Sequence, residues 1–267
     1  ACRSAEWLYE AGIGERRAAL VEDDRIIEAR IERDGDGPLV GTVAHARLVE
    51  AGKRARVALD LLGEPAATVA SVPRETSIGA RLIVEIIRMA LRERGRDKPA
   101  RARLTEAAIG DGRDLRARIA ASGFPVVDMT PTGPDRLEQA GWSELIDHVR
   151  TGNWPFAGGA LWVDTTPAMT LIDIDGEGDA LALAKDGAAA AVHVIRCCDI
   201  GGSIGIDFPS LPGRAGRHAI DALVDGLLPQ PFERTAVNGF GLMQIIRRRE
   251  RPSLVEQVRF DPVATDA

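Results

Sequence analysis

Three aspartates in the C-terminal half of the chain stand among apolar residues that favour β-strands. Asp173 and Asp175 share one face of the segment 171–176, because side chains alternate along a strand. Asp207 lies in a second apolar run, 204–208. A carboxylate on a buried strand is costly unless it is paired or liganded. Mg²⁺ takes one or two carboxylates with waters and phosphate oxygens, so these positions suit it. The competing interpretation is that strand-end aspartates only cap a following turn.

The elements that must position these aspartates begin after Gly158-Gly159, where short apolar runs alternate with longer Ala-rich or amphipathic ones. The predicted strands are 160–163, 169–174, 204–208 and 242–249. The predicted helices are 179–198, interrupted at Gly187, and 215–228. Alternation of strands and helices predicts an α/β layer.

Basic residues concentrate away from the aspartates. Between residues 41 and 104 there are thirteen Arg and Lys against seven Asp and Glu, although the whole chain carries a net charge of −6. Arg96, Lys98 and Arg101 belong to a run of seven cations from Arg88 to Arg103, and a second cluster follows at 247–251. Local phosphate contact is one interpretation and a solvated charged surface is the other. No Phe, Tyr or Trp lies between Leu39 and Arg103, which leaves electrostatics rather than base stacking.

The basic run falls within a part of the chain made of short β-like segments. The predicted strands are 39–43, 54–62, 67–72, 81–89 and 98–104, with a helix as the alternative for 81–89. Five short strands separated by Gly and Pro predict a small OB-type barrel. A hairpin is predicted before it, from 18–21 and 25–31, and two helices after it, at 114–122 and at 143–149 with Ser143 as the cap.

Other chemistries fit the sequence less well. Gly201–Gly205 matches G-x-S-x-G, but the nucleophile elbow needs a strand before the serine and a helix after it, the reverse of the predicted order. The four histidines show no metal-ligand spacing, and three cysteines make neither a disulfide framework nor a zinc quartet. No apolar stretch approaches the ~20 residues of a membrane span. We therefore expect a cytoplasmic protein with no membrane association.

These residues together resemble the ribonuclease E/G family. The stretch 158–175 is similar to the family's first metal-ligand strand, which usually reads aspartate, apolar, asparagine. Residues 195–208 resemble the segment with the second metal aspartate, and 235–254 resemble the strand that closes the nuclease domain. The implied fold is α/β (α+β), with RNase H-like and DNase I-like catalytic subdomains and an inserted OB-fold-type barrel. The implied boundaries are 6–38 and 106–157 for the RNase H-like subdomain, 39–105 for the barrel and 158–267 for the nuclease subdomain.

The resemblance also implies the activity. Asp173 and Asp207 would bind Mg²⁺, or Mn²⁺ as a substitute, while Asp175 would orient the water or a metal ligand. The substrate would be single-stranded RNA, cut to leave a 5′-phosphate and a 3′-hydroxyl. The residues expected to contact RNA are Arg96, Lys98, Arg101, Arg247 and Arg248. The alternative is a non-catalytic RNA-binding relative of the same family.

Three departures from the family pattern stand out. Asp175 replaces the usual asparagine and adds a negative charge. The Cys-Pro-x-Cys zinc link is missing where 259–262 stands, so we expect a monomer or homodimer that is not a zinc-linked assembly. The interval 106–157 is also far shorter than the family's 5′-end sensor, which predicts that this sensor is lacking.

Overall fold

The computed structural model describes residues 5–93, 96–130, 132–211 and 213–259. Over these residues the protein is a mixed α/β fold, with a four-stranded sheet, a closed five-stranded barrel and a six-stranded sheet. This confirms the predicted mixture of helices and strands around a small barrel. None of the described helices is long and apolar enough to cross a membrane.

The four-stranded sheet opens the chain. It contains β1 (Glu6–Ala11), β2 (Glu15–Glu22), β3 (Arg25–Arg33) and β11 (Val126–Asp128), in the order β11-β1-β2-β3. The predicted hairpin is confirmed as β2 and β3. Asp23 and Asp24 both have positive φ, 48° and 58°, as a tight hairpin turn of the primed type requires. Strand β11 pairs in parallel with β1, although more than a hundred residues separate them along the chain.

This first sheet is covered on both faces. On one face, Trp7 and Leu20 pack against Leu115 of helix α1 (Leu115–Ala120). On the other face, Leu8 and Ala19 join the main core of the molecule. Double coverage explains why consecutive residues of β1 and β2 are apolar, since a strand buried on both sides has no solvent face.

The barrel follows the first sheet. Its strands are β4 (Val43–Glu50), β5 (Ala55–Leu59), β6 (Ala66–Val69), β7 (Arg81–Arg88) and β10 (Ala100–Leu104), closed in the order β10-β6-β5-β4-β7. Strands β6 and β10 run parallel, and the other pairs are antiparallel. A small hairpin, β8 (Leu91–Glu93) and β9 (Arg96–Lys98), stands between β7 and β10.

The barrel interior is filled by alternate side chains of its strands, including Leu48, Leu59 and Ile86, with alanines where the barrel is narrow. The prediction of a strand at 81–89 rather than a helix is confirmed. The prediction of a strand at 39–43 is wrong, because Gly41 adopts a φ of +88° and the chain turns there before β4 begins at Val43.

The six-stranded sheet has the order β12-β13-β14-β15-β17-β16. Its strands are β12 (Asn153–Phe156), β13 (Gly159–Thr165), β14 (Thr170–Gly176), β15 (Gly202–Asp207), β16 (Phe232–Arg234) and β17 (Leu242–Arg247). Strands β14 and β15 are parallel and are joined through helix α4 (Ala180–Cys197); the other neighbours are antiparallel. The α/β layer predicted from the sequence is therefore present.

Helices α4 and α5 (Gly213–Leu227) pack on one face of this sheet, where Ile172 and Ile206 are buried. The predicted interruption of α4 at Gly187 is wrong, since the helix continues through it. A Cβ at Gly187 would lie 2.5 Å from Cγ2 of Ile174 on β14, so the glycine permits close approach of helix and strand.

The remaining helices pack between the first sheet and the six-stranded sheet. Helix α2 (Arg136–Gln139) leads into α3 (Trp142–Thr151), and α6 (Leu254–Arg259) follows the last strand. Trp142 and Leu254 enter the core shared by the first and the six-stranded sheets. The N-cap of α3 is Gly141, not Ser143 as predicted; Ser143 lies in the first turn and donates to Oε2 of Glu138.

Candidate active site

Asp173 and Asp207 lie opposite each other on the parallel strands β14 and β15. Neighbouring strands are about 4.8 Å apart, so the two side chains leave adjacent backbones on the same face. Asp175 lies two residues further along β14, roughly 6.6 Å away on that face. All three side chains are exposed rather than buried, because the helices cover the opposite face of the sheet. The structure therefore brings together two of the three predicted carboxylates.

A row of residues in register crosses the open face at this point. Asn153 of β12 lies opposite Trp162 of β13, Trp162 opposite Asp173, Asp173 opposite Asp207, and Asp207 opposite Leu242 of β17. Two carboxylates thus stand at the centre of the row, with the exposed indole of Trp162 on one side and the exposed Leu242 on the other.

The carboxylates have no cation to balance them. Partial burial raises the pKa of Asp173, and the negative charges of Asp207 and Asp175 raise it further. Within the described part of the chain, no ion pair involves Asp173, Asp175 or Asp207. Such a group of like charges favours binding of a proton or of a positive ion.

The carboxylates of Asp173 and Asp207 are the candidate ligands for a metal ion. No group of three or more His, Cys, Asp or Glu among the described residues is arranged to hold an ion. A Mg²⁺ ion is commonly held by one or two carboxylates, with waters and substrate phosphate completing an octahedron. The pair Asp173 and Asp207 fits that chemistry, while Asp175 lies farther along the strand.

A tight loop before β17 lies beside Asp207. Oδ1 of Asn238 accepts hydrogen bonds from the backbone N–H of Phe240 at 2.8 Å and of Leu242 at 3.1 Å. Gly241 has a φ of +90°, and a Cβ there would lie 2.5 Å from the carbonyl oxygen of Phe208. The loop can therefore pass beside Asp207 only with a glycine at this position.

A basic groove of about 530 Å³ lies on the barrel. The loop between β4 and β5 supplies Lys53 and Arg54, and strand β10 supplies Arg101. None of these three cations forms an ion pair within the described residues. Arg88 lines the groove from β7, and its pKa is lowered by burial and then by the charges of Arg101 and Arg249. Crowding of cations makes the groove a site for an anion.

The predicted RNA contacts of the barrel have different surroundings. Arg101 lies in the groove and is exposed. Lys98 also lines it, but Nζ of Lys98 donates to Oε1 of Glu93 at 2.5 Å. Burial opposes ionisation of Glu93, yet the hydrogen bond and charge of Lys98 and the charge of Arg249 outweigh it and lower its pKa. The side chain of Arg96 lies outside the described residues.

The two predicted contacts after the last strand also differ. Arg247 donates from Nη1 to the carbonyl oxygen of Ile200 at 2.8 Å and of Ile195 at 3.4 Å, and burial lowers its pKa. This guanidinium holds α4 against the sheet and is occupied there. Arg248 is exposed and pairs with Glu250 at 2.9 Å.

A small polar cleft of about 70 Å³ joins the groove to the sheet. Lys98 lines it together with Thr170 and Ser203, which stand at the beginnings of β14 and β15. Asp207 is four residues beyond Ser203, which corresponds to roughly 13 Å along a strand. The polar cleft and the aspartate pair therefore lie at opposite ends of the same two strands, and the cleft shares Lys98 with the basic groove.

Sequence reasoning missed two features of this surface. Lys53 and Arg54 are far from the basic run in the sequence, and the barrel places them beside Arg101 by pairing β6 with β10. The second feature is Trp162. The sequence predicts only that it lies on a strand and does not show which residue is its neighbour across the sheet. The interpretation of Gly201–Gly205 as the start of a strand agrees with β15, where Oγ of Ser203 accepts from Nε2 of Gln244 at 3.0 Å.

The sequence matches no protein-family profile and no curated protein. The resemblance to ribonuclease E/G therefore rests on the sequence stretches named in the sequence analysis alone.

Proposed function

We propose that this protein is a metal-dependent endoribonuclease of the ribonuclease E/G type that cuts single-stranded RNA. The observation that carries the proposal is the placement of Asp173 opposite Asp207 on parallel strands, with no cation beside them in the described part of the chain. The resemblance puts these two residues at the positions where the family binds its metal, and their donor chemistry suits Mg²⁺ or Mn²⁺.

Asp173 and Asp207 would hold the ion through carboxylate oxygens and orient it toward the scissile phosphate. The bound ion would lower the pKa of an attacking water and offset charge on the phosphate. Asp175, one step farther along the face, would accept a hydrogen bond from water around the site. The products would carry a 5′-phosphate and a 3′-hydroxyl, as the resemblance implies.

The barrel supports the RNA-binding part of the proposal. Its five strands close with the first beside the fourth and the third parallel to the fifth, which is the arrangement of an OB-type Greek-key barrel. Strands β5 and β6 and the loop before β5 contribute to the ligand face of such barrels, and Lys53, Arg54 and Thr68 line the groove there. RNA leaving this groove past Lys98 would meet the beginnings of β14 and β15.

The pairing of β1 with β11 supports the proposed subdomain boundaries. It joins residues 6–38 to residues 106–157 across the barrel, as expected of an RNase H-like subdomain that the barrel interrupts. The six-stranded sheet with α4 and α5 would then be the DNase I-like subdomain.

A second candidate is a non-catalytic RNA-binding relative. The absence of a three-residue ligand set among the described residues favours it. Cleavage of an A/U-rich oligonucleotide with Mg²⁺, with EDTA, and by the Asp207→Asn variant separates the two. Mg²⁺-dependent cleavage that the variant loses supports the nuclease; RNA binding without cleavage supports the second candidate. A matched deoxyribose oligonucleotide tests whether the activity requires RNA.

A further inference from the structure

Trp162 differs from the other three tryptophans, all of which the structure describes. Trp7, Trp142 and Trp154 are at most 7% exposed, whereas Trp162 is 48% exposed. Burial of apolar surface is favourable by about 25 cal/mol per Å², so leaving half of an indole in water forgoes stabilisation that the other three obtain.

The position of Trp162 relates it directly to the aspartate pair. Its side chain projects from the open face of β13, opposite Asp173, which is itself opposite Asp207. At a strand spacing of about 4.8 Å, the indole is one strand from Asp173 and two strands from Asp207. A group lying on the indole is therefore beside whatever the two carboxylates hold.

The charges around Trp162 restrict what can cover it. Asp173, Asp175 and Asp207 project from this face without an ion pair in the described part of the chain, and Asp164 projects from it too but pairs with Arg259 at 3.7 Å. A second copy of the chain would place these carboxylates against like charges, and a broad apolar partner would remove them from water without compensation. No described Arg or Lys stacks on Trp162; the cation–π contacts among the described residues involve Trp142 and Tyr9.

A single planar aromatic group meets these restrictions. It can stack on one indole while its polar edges and the neighbouring carboxylates stay in water, and base–aromatic stacking does not depend on base identity. Residues 39–103, which form the basic groove, contain no Phe, Tyr or Trp. The groove can therefore bind phosphates through its cationic side chains, but it has no aromatic ring on which a base could stack.

We propose that Trp162 is a stacking platform for an unpaired nucleobase of single-stranded nucleic acid, next to the phosphate at Asp173 and Asp207. The location of that phosphate rests on the proposed function; the stacking itself does not. A base held in a duplex has its faces occupied by its neighbours, so the platform selects single strands. Trp162 is thus a binding and positioning residue.

Binding with Ca²⁺, which takes carboxylate oxygens as Mg²⁺ does and offsets the charge of the aspartates, tests the platform alongside binding in EDTA. We expect a single-stranded oligonucleotide to quench the fluorescence of Trp162 and to protect it from acrylamide, and a duplex of the same sequence to do neither. Trp162→Ala should lose the quenching and bind about tenfold more weakly, whereas Trp162→Phe should stay within about threefold of wild type. Phe124→Ala is the matched control, because Phe124 is an aromatic side chain 40% exposed in the segment between α1 and β11, where it lines neither the groove nor the cleft.

Oligonucleotides with one abasic position supply the second measurement. Wild-type affinity should fall when a particular base is removed, and Trp162→Ala should be indifferent to that removal. Unchanged acrylamide quenching at saturating RNA, or equal affinity of Trp162→Ala and Phe124→Ala, overturns the proposal. Quenching without Mg²⁺-dependent cleavage leaves the platform standing and rejects the nuclease. Cleavage without quenching rejects the platform and leaves the nuclease standing.

Discussion

Asp173 lies opposite Asp207 across a parallel pair of strands, and both side chains project from the face of the sheet that faces away from α4 and α5. Parallel neighbours share direction, so the register that aligns these two residues also aligns the beginnings of their strands beside the barrel hairpin. One register thus sets both the spacing of the carboxylates and their distance from the basic groove.

Asp173→Asn and Asp207→Asn should each lower RNA cleavage by several orders of magnitude while RNA binding in EDTA is retained. An amide keeps the shape of the side chain but removes the charge that holds the metal. Turnover is measured at saturating Mg²⁺ with a fluorescent oligonucleotide. Near-wild-type cleavage by both variants would remove these residues from the site.

Asp175→Asn is the matched variant on the same strand. It introduces the asparagine that the ribonuclease E/G family usually has at the position that Asp175 resembles. We expect cleavage to persist with a higher Mg²⁺ requirement, because one negative charge near the ion is gone. A loss as large as that of Asp207→Asn would make Asp175 a metal ligand instead.

Asp173→Asn should also raise the thermal stability of the metal-free protein at pH 7. The pKa of Asp173 is raised, so the folded protein releases this proton at a higher pH than the unfolded chain does. Its contribution to stability is full below the ordinary Asp pKa of about 3.9 and is lost as pH rises through the raised value. Because the side chain is exposed and screened, we expect a gain of only about 1–2 °C in melting temperature.

The same comparison at about pH 3, below the ordinary Asp pKa, should show no difference between Asp173→Asn and wild type. Asp186→Asn, an exposed change on α4, serves as the control and should leave the melting temperature unchanged. A variant less stable than wild type at pH 7 would show that the carboxylate of Asp173 is stabilising, contrary to its surroundings.

Local pattern was sufficient to predict much of the fold. Turn residues at Asp23-Asp24 and alternating apolar residues after Arg54 and Arg81 predicted strands that the structure contains. The pattern failed at Gly41, where a strand was predicted through a glycine, and at Gly187, where the low helix propensity of glycine predicted an interruption. Gly41 ends a turn rather than lying in a strand, and Gly187 lies where Ile174 packs against α4.

The candidate site could be predicted only in part, because it depends on pairing between distant strands. The sequence placed Asp173 and Asp207 on strands, but it could not give the register that sets them opposite each other and beside Trp162. Packing of the whole sheet fixes that register. In the same way, closure of the barrel brings Lys53 close to Arg101 through the parallel pairing of β6 with β10. The local sequence does not predict that pairing.

RNA affinity should fall steeply with salt, and the combined change Lys53→Ala, Arg54→Ala and Arg101→Ala should flatten the dependence. Each lost phosphate contact reduces the single-strand slope of log K against log salt by roughly 0.7. Arg103→Ala is the matched control, since Arg103 is exposed on the same strand but paired with Glu85 at 2.7 Å. An unchanged slope in the triple variant would place the RNA elsewhere.

Gly187→Ala should destabilise the protein by about 1–3 kcal/mol, the range for overpacking a core. The added methyl would meet Ile174 at 2.5 Å and push α4 away from β14. Urea unfolding measures the change, and Gly226→Ala is the control because a Cβ there meets open space. In the background of Ile174→Ala, which removes the Cγ2 atom that the methyl meets, Gly187→Ala should cost less than it does in the wild type. Equal stability of wild type and Gly187→Ala would show that helix and strand separate freely.

Cleavage should be indifferent to whether the RNA begins with a monophosphate or a hydroxyl. A pocket for a terminal phosphate needs converging donors, such as an Arg fork or free backbone N–H groups. In the interval 106–157 four of the five arginines form ion pairs with other residues. Arg116 binds both carboxylate oxygens of Asp128, at 2.7 and 2.9 Å, and Arg118 pairs with the buried Glu32 at 2.8 Å.

Arg136 and Arg150 of the same interval pair with Glu6 and Asp147, which leaves the exposed Arg113 as its one arginine without an ion pair in the described part of the chain. A single guanidinium cannot enclose a terminus.

Initial rates are compared on one oligonucleotide carrying either 5′ end, with Arg113→Ala alongside. A preference of tenfold or more, about 1.4 kcal/mol, that Arg113→Ala abolishes would mean that a sensor exists around this residue. A preference that survives the substitution would place the sensor elsewhere, and equal rates would agree with an interval whose arginines hold the first sheet and its helices together.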